Sequence, residues 1–257
     1  MLNALNEENL VHALVFCENS PFGSIIYSQI KAFYPAAKGF FCHLQKNETG
    51  AVTAVASCLE GTANLLTNDK ADFDELREFL AFLSPNNLFS SQKCSQFLAF
   101  GQNDSGSILR LCAQPEDIPR RTAVPAHVEE IRFLYDILYG ESAAAENPPA
   151  FGGWYTDVSH RVRHGYARIF VIREGSLPVS MAMTTGETPH CAVVGSVATL
   201  PGHRNRGHAG ACVQTLAQAL LQEGKAVFLF CGESSPFALY HSLGFRPCGH
   251  WARAKIQ

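Results

Sequence analysis

From residue 127 onward the spacing of apolar positions changes period several times, and each change marks an element. Residues 127–139 place Ile131, Leu134, Tyr135 and Leu138 at helical intervals, and a second short helical segment is predicted over 154–164. A Gly-, Ala- and Pro-rich connector, GESAAAENPPAFGG, joins them. The stretch ARIFVIREGSLPVSMAMTTG then reads as two β-rich runs around a turn at 174–176, a hairpin. CAVVGSVATL (191–200) is a third strand, and 207–222 is a helix with Ala209, Val213, Leu216 and Leu220 on one face. AVFLFC (226–231) is a further strand. A short helix over 236–243 stops at Gly244, and a last strand starts at Phe245.

The first hundred residues repeat part of this order. Helical segments at 7–16 and 22–33 precede a hairpin, GFFCHLQKNETGAVTAVASCL, whose turn lies at 46–50. A short strand at 63–66, a helix at 72–83 with Phe73, Leu76, Leu80 and Leu83 on one face, and a strand at 97–100 complete the series. Order and spacing carry the likeness with almost no residue identity, so two readings stay open: a duplication, or two unrelated α/β halves. The expected fold is α/β (α+β), a mixed, mostly antiparallel central sheet flanked by helices, in two domains, 1–106 and 107–257.

Composition narrows the class. The chain has 257 residues, 47% of them hydrophobic, and a formal net charge of -3, so a sizeable core is expected and no nucleic-acid surface is. Its nine cysteines form no C-x-x-C pair and most lie inside apolar runs, which predicts buried free thiols in a reducing compartment. MLNALNEENL has neither a basic segment nor a long apolar core, and no apolar run is long enough to span a bilayer. The expectation is a cytoplasmic protein without membrane contact, monomeric or homodimeric.

The chemistry concentrates in VATLPGHRNRGHAGACV, residues 197–213. A helix N-terminus exposes unpaired N–H groups and a partial positive charge, and chains usually place a capping oxygen and acidic residues there. Here Asn205 is the one candidate cap and its neighbours, Arg204, Arg206 and His208, are basic. Gly207, Ala209 and Gly210 permit the close backbone approach that a phosphate requires. The corresponding joint of the first half, LLTNDKADFDEL, carries Asp72, Asp74 and Glu75 and should repel an anion.

Arg204-Asn205-Arg206-Gly207-His208-Ala209 resembles the [QR]-x-x-G-x-[GA] acetyl-CoA motif of the GNAT superfamily of N-acetyltransferases, with the usual proline, Pro201, three residues before the arginine. Ala238-Leu239-Tyr240-His241-Ser242-Leu243-Gly244-Phe245 is similar to the family's "lYxxlGF" segment, and the element order extends the likeness over roughly 120–257. The resemblance implies a GNAT fold in the carboxy-terminal half and, through the repeated order, a degenerate GNAT-like amino-terminal half without the cofactor motif.

It also implies a division of labour. The strand at 191–199 splays from that at 226–231, and the pantetheine arm of acetyl-CoA lies in the gap against Val197, Ala198 and Thr199. The pyrophosphate rests on N–H groups from Arg204, Asn205, Arg206, Gly207, His208, Ala209 and Gly210. An amine, expected to be that of a small molecule, attacks the acetyl carbonyl directly, and Tyr240 protonates the departing thiolate. No metal is implied. Two departures bear on mechanism: AVVGSVATL lacks the glutamate base many members carry, leaving Glu187 and His190 as the nearest substitutes, and Glu233 stands where an asparagine is often found. Trp154, Tyr155, His160 and His164 either line an acceptor pocket or form an aromatic face packed on the sheet. The alternative function is a non-catalytic acyl-CoA sensor or scaffold; a longer acyl group or a macromolecular acceptor also stays open.

Overall fold

The computed structural model describes residues 1–37, 39–113, 122–140 and 148–256. The first half runs β1 (Leu2–Ala4), α1 (Leu10–Cys17), α2 (Pro21–Phe33), β2 (Phe40–Lys46), β3 (Val52–Leu59), β4 (Thr62–Thr67), α3 (Phe73–Leu83), β5 (Asn87–Ser91), α4 (Gln92–Leu98) and β6 (Gln102–Leu111). The second runs β7 (Val124–Pro125), a 3-10 turn (Val128–Glu130), α5 (Ile131–Tyr139), α6 (Phe151–Arg163), β8 (Ile169–Glu174) and β9 (Leu177–Glu187). It continues through β10 (Cys191–Thr199), a 3-10 turn (Pro201–His203), α7 (His208–Gln222), β11 (Ala226–Gly232), α8 (Phe237–Ser242) and β12 (Phe245–Lys255). The expected elements fall where the apolar periods placed them except for the strand at 97–100, and β1, β6 and β7 are additions that no period announced.

The first correction is the strand expected at 97–100. That segment closes helix α4, whose N-cap Ser91 accepts a hydrogen bond at Oγ from Cys94 N. The strand lies earlier, at Asn87–Ser91, and Phe97 is an exposed helical residue stacked on Phe73. A second difference lies at 101–107, GQNDSGS, where no element is expected. It opens β6, a central strand, and the expected domain limit at 106/107 falls inside it. Part of the connector at 140–153 lies outside the described residues; its end, Phe151 to Gly153, begins α6.

All twelve strands form one sheet in the order β1-β2-β3-β4-β5-β12-β6-β11-β10-β9-β8-β7. Pairs β4–β5 and β10–β11 are parallel and the other pairs antiparallel. Read from either edge inward, the order is the same series of elements, so the repeated pattern is a structural repeat. The two copies exchange their last strands. Strand β6 of the first half pairs with β11 of the second, β12 of the second pairs with β5 of the first, and β6 and β12 pair with each other at the centre.

Strand alternation sends neighbouring residues to opposite faces. On one face α7 buries Val213, Leu216 and Leu220 against Ala192, Val194, Val227 and Leu229. On the other, α5 and α6 bury Ile131, Leu134 and Val158 against Val171, Met181 and Met183. The first half repeats the arrangement, with Leu76 and Leu80 of α3 on Ala54, Ala56 and Leu65, and Ile26 and Ile30 of α2 on Leu44 and Val55. Each of the Val, Leu, Ile and Met side chains among these contributes about 1.5–3 kcal/mol of transfer free energy. Helix α2 also reaches across to the second half. Its backbone at Ser24 and Ile25 passes so close to Gly186 that a Cβ there would stand 2.5 Å from Ile25 N. Ser28 Oγ accepts a hydrogen bond from Glu187 N at 2.8 Å.

Candidate functional site

The site is built where β10 leaves its parallel partner. The two strands pair from Cys191–Ala226 to Val194–Leu229 and no further. Beyond Val194 the register against β9 shifts between Gly195 and Ala198, and Ser196 takes a left-handed φ of 48°. This is a β-bulge, which bends the strand and increases its twist, and it turns Val197 to Thr199 away from β11. The bent end is pinned on its other side: Ser180 Oγ donates to Ala198 O at 3.0 Å and lies 2.8 Å from Thr199 Oγ1.

The chain then turns through Pro201–His203, with Arg204 Nε donating to Thr199 O at 3.1 Å. Asn205 has φ 59° and does not cap α7; the N-cap is Gly207, at φ 79°, a conformation that favours glycine. Helix α7 thus starts with no side-chain cap and no acid in its first turn. Its free N–H groups face a cleft of about 660 Å³ lined by Val197, Ala198, Thr199, Arg204 and Asn205, and by Gly207 to Gly210. Ile137 and Leu138 of α5 form one wall, and Ser234, Pro236 and Leu239 another. Every expected cofactor-binding residue except Arg206 therefore lines one cleft.

Arg206 points elsewhere. Its Nη1 lies 3.2 Å from Glu174 Oε1, at the β8–β9 turn, and Nη2 donates to Gly202 O at 3.0 Å. The same carboxylate stands 3.1 Å from His203 Nδ1 and 3.3 Å from His208 Nε2. His208 is a buried side chain rather than a surface one. Glu174 is thus a counter-ion set against the basic loop from a distant turn, a contact that no local spacing announces.

Tyr240 sits in α8, 7% exposed, within the core cluster around Cys212, Cys231 and Phe245. Its neighbours Pro236 and Leu239 line the cleft; Tyr240 forms the layer behind them. Burial, with a smaller contribution from Cys231, pushes its hydroxyl pKa up to about 12.

Glu187 and His190 are not at this site. They precede β10 at its paired end, whereas the cleft opens at its far end; seven residues of strand from His190 to Val197 span about 20 Å. Glu187 is bound to Arg168 Nη2 at 2.5 Å and Lys225 Nζ at 2.6 Å, and His190 is exposed near Glu18. Glu187 belongs to an ion-pair cluster at the opposite end of the strand, His190 is an exposed neighbour of Glu18, and neither faces the cleft. Glu233 is exposed at the end of β11 and does not line the cleft. Trp154 and Tyr155 pack toward α5, His160 Nε2 lies 2.8 Å from Ala32 O, and His164 is exposed.

In the first half the matching helix end is closed by its own acids. Asp72 Oδ1 accepts from Asp74 N at 3.1 Å and Glu75 N at 3.0 Å, and Gln45 Nε2 donates to Asp72 O and Glu75 Oε2. Among the described residues no group of three or more His, Cys, Asp or Glu is arranged to hold a metal, and no helix is long and apolar enough to cross a membrane.

Residues 172–254 match the family described as FR47-like protein. No curated protein matches the chain. Among solved structures, a tandem GNAT protein from the clavulanic acid biosynthesis pathway aligns over 100% of this chain and 98% of its own, at 14% identity and TM-score 0.65. A Drosophila protein aligns over 99% and 98% at 11% identity and TM-score 0.68. A GCN5-related N-acetyltransferase from Sphaerobacter thermophilus covers 100% and 96% at 15% identity and TM-score 0.61. The repeat, the exchanged strands and the full-length overlays give one conclusion: this is a protein of the tandem GNAT fold, with an FR47-like segment in its second copy.

Proposed function

We propose that the protein moves an acetyl group from acetyl-CoA to the primary amine of a small molecule, using only the cleft of the second half. The observation that carries this reading is the uncapped, acid-free N-terminus of α7, opening beside a splayed parallel strand pair. The donor set fits the co-substrate. Backbone N–H groups from Arg204 to Gly210 would hold the pyrophosphate, Arg204 adds positive charge, and Val197 to Thr199 offer a free strand edge to the pantetheine amides. A Cβ at Gly207 would meet nothing within 4 Å, so the approach to the loop is open.

Acetyl-CoA supplies the activated acyl group; the chain's own residues orient it and move protons. Tyr240 keeps its proton at any pH well below 12 and is the candidate donor to the leaving sulfur. No carboxylate lines the cleft among the described residues, so the acceptor enters as the neutral amine. That same observation favours one second reading, an acyl-CoA sensor with no turnover. Thiol release on incubation with acetyl-CoA and a panel of primary amines tests the proposal. Amine-dependent release supports transfer, and acetyl-CoA binding with no release across the panel supports the sensor.

A further inference from the structure

A second cavity, about 1010 Å³, lies where the two halves meet, and among the described residues none lines both it and the acetyl-CoA cleft. Strands β4 and β10 run in opposite directions across the sheet, so the start of β4 and the splayed end of β10 share one edge. The helix pair α5–α6 separates the two spaces. Ile137 and Leu138 of α5 face the cleft, while Gly152 and Thr156 of α6 face the cavity.

The cavity walls are apolar on the side of the first half and polar on the side of α6, where Thr156, Asp157 and His160 line them. Phe33, Phe41, Leu59 and Leu83 of the first half present apolar surface, and Phe41 is 52% exposed, an unusual state for a phenylalanine on a strand. Two carboxylates border this surface. Asp157 is neutralised by Arg161, which reaches it with Nε at 3.0 Å and Nη2 at 2.7 Å. Glu60 makes no ion pair among the described residues and no lysine or arginine is among the described lining residues. It sits in the two-residue β3–β4 turn at φ 49°, beside Gly61 at φ 75°, a pair of left-handed residues in which asparagine, aspartate or glycine is the usual first member. From there its Oε1 stands 3.6 Å from the point a Cβ of Gly153 would occupy, so the carboxylate leans over the cavity toward α6.

We propose that this cavity is a second small-molecule site, for an amine with an aryl or alkyl body, its ammonium held by Glu60 and its apolar part by Phe33, Phe41 and Leu59. The volume is at the upper end of the range for sites that enclose a drug-sized molecule. The assignment is independent of the acyl-transfer reading, since it concerns binding alone.

Calorimetric titration of the full chain with phenylalkylamines of two to four methylenes tests it, alongside the matching neutral alcohols and anionic phenylalkanoates. The amines should bind about threefold or more tighter than the alcohols, the margin of a single partly exposed ion pair, with the carboxylates weakest. Glu60→Gln should remove the preference for amines. Gly152→Phe fills the cavity from a helical position where a Cβ meets nothing within 4 Å, so it should abolish binding without disturbing the fold. Both variants should keep the parent's affinity for acetyl-CoA, which also reports that they are folded. Amines binding no better than alcohols, carboxylates binding best, or full amine binding by folded Gly152→Phe would each overturn the site.

Discussion

At the residue scale, Tyr240 separates an enzyme from a binding module. Phenylalanine at 240 keeps the ring in its core position and removes only the hydroxyl. General-acid assistance is worth about 10²–10⁴ in rate, so Tyr240→Phe should lower kcat at least tenfold while acetyl-CoA affinity stays within about threefold. A free tyrosine ionises near pH 10, about two units below Tyr240, so the defect should persist through alkaline assays. The sign for stability follows from the same shift. The unfolded chain loses this proton first, so the contribution is complete below about pH 10 and is lost as pH rises toward about 12. Tyr240→Phe should therefore soften alkaline unfolding measured by circular dichroism. The neutral-amine requirement has its own signature: kcat/KM should climb about tenfold per pH unit until the acceptor's own pKa, with no lower break from an enzyme base. Thiol reactivity is a further check on the packing. Cys112 and Cys248 are exposed and the other seven cysteines buried, with Cys42 pushed up to about 12 and Cys212 to about 11 by burial, so a thiol reagent at neutral pH should label two sites before unfolding and all nine after it.

At the element scale, the cleft depends on a helix that leaves its N-terminus open and a strand that bends away. Both halves carry the same joint, and only the acids at Asp72, Asp74 and Glu75 close the first one. At the second, Glu174 stands against the basic loop. Removing its charge in Glu174→Gln releases Arg206 and should tighten acetyl-CoA binding about threefold at low ionic strength, with the gain shrinking as salt screens the loop. These elements were unequally legible. The open terminus was readable because caps, acids and small residues act within a few positions of each other. The short helix that carries Tyr240 was readable from its local pattern, although not the depth of Tyr240 behind Leu239. Ser196 as a bulge was hidden in an apolar run, since the extra residue is defined by pairing with β9. Glu174 was hidden because it meets Arg206 only after the hairpin and the loop fold together. Glu187 and His190 are close to β10 in sequence, which does not say at which end of the strand the partner separates. The end of the helix at 92–98 resembles a strand in sequence because a short apolar run suits either period.

At the scale of the whole molecule, the exchange of β6 and β12 makes each half depend on the other. Cutting the chain near residue 107 removes β5 and the first part of β6, leaving one edge of β12 unpaired and the apolar face around Ile108, Phe228 and Trp251, which Phe22 and Phe89 cover in the intact chain, exposed. Such a fragment should aggregate, and the intact chain should unfold in a single calorimetric transition, without a separate melting of either half. The exchange was not legible in the sequence, because strand order across a sheet is a long-range property; the polar run GQNDSGS gave no sign of a central strand. The central claim is that this two-fold frame holds one acetyl-CoA site, in its second half. Isothermal titration of acetyl-CoA into the parent, Gly207→Glu, Gly207→Ala and Asp72→Ala tests it most directly. The account predicts one site per chain in the parent and in Asp72→Ala, weaker but measurable binding in Gly207→Ala, whose Cβ meets nothing within 4 Å, and none in Gly207→Glu. Two sites per chain, or binding that survives in Gly207→Glu and is lost in Asp72→Ala, would contradict it.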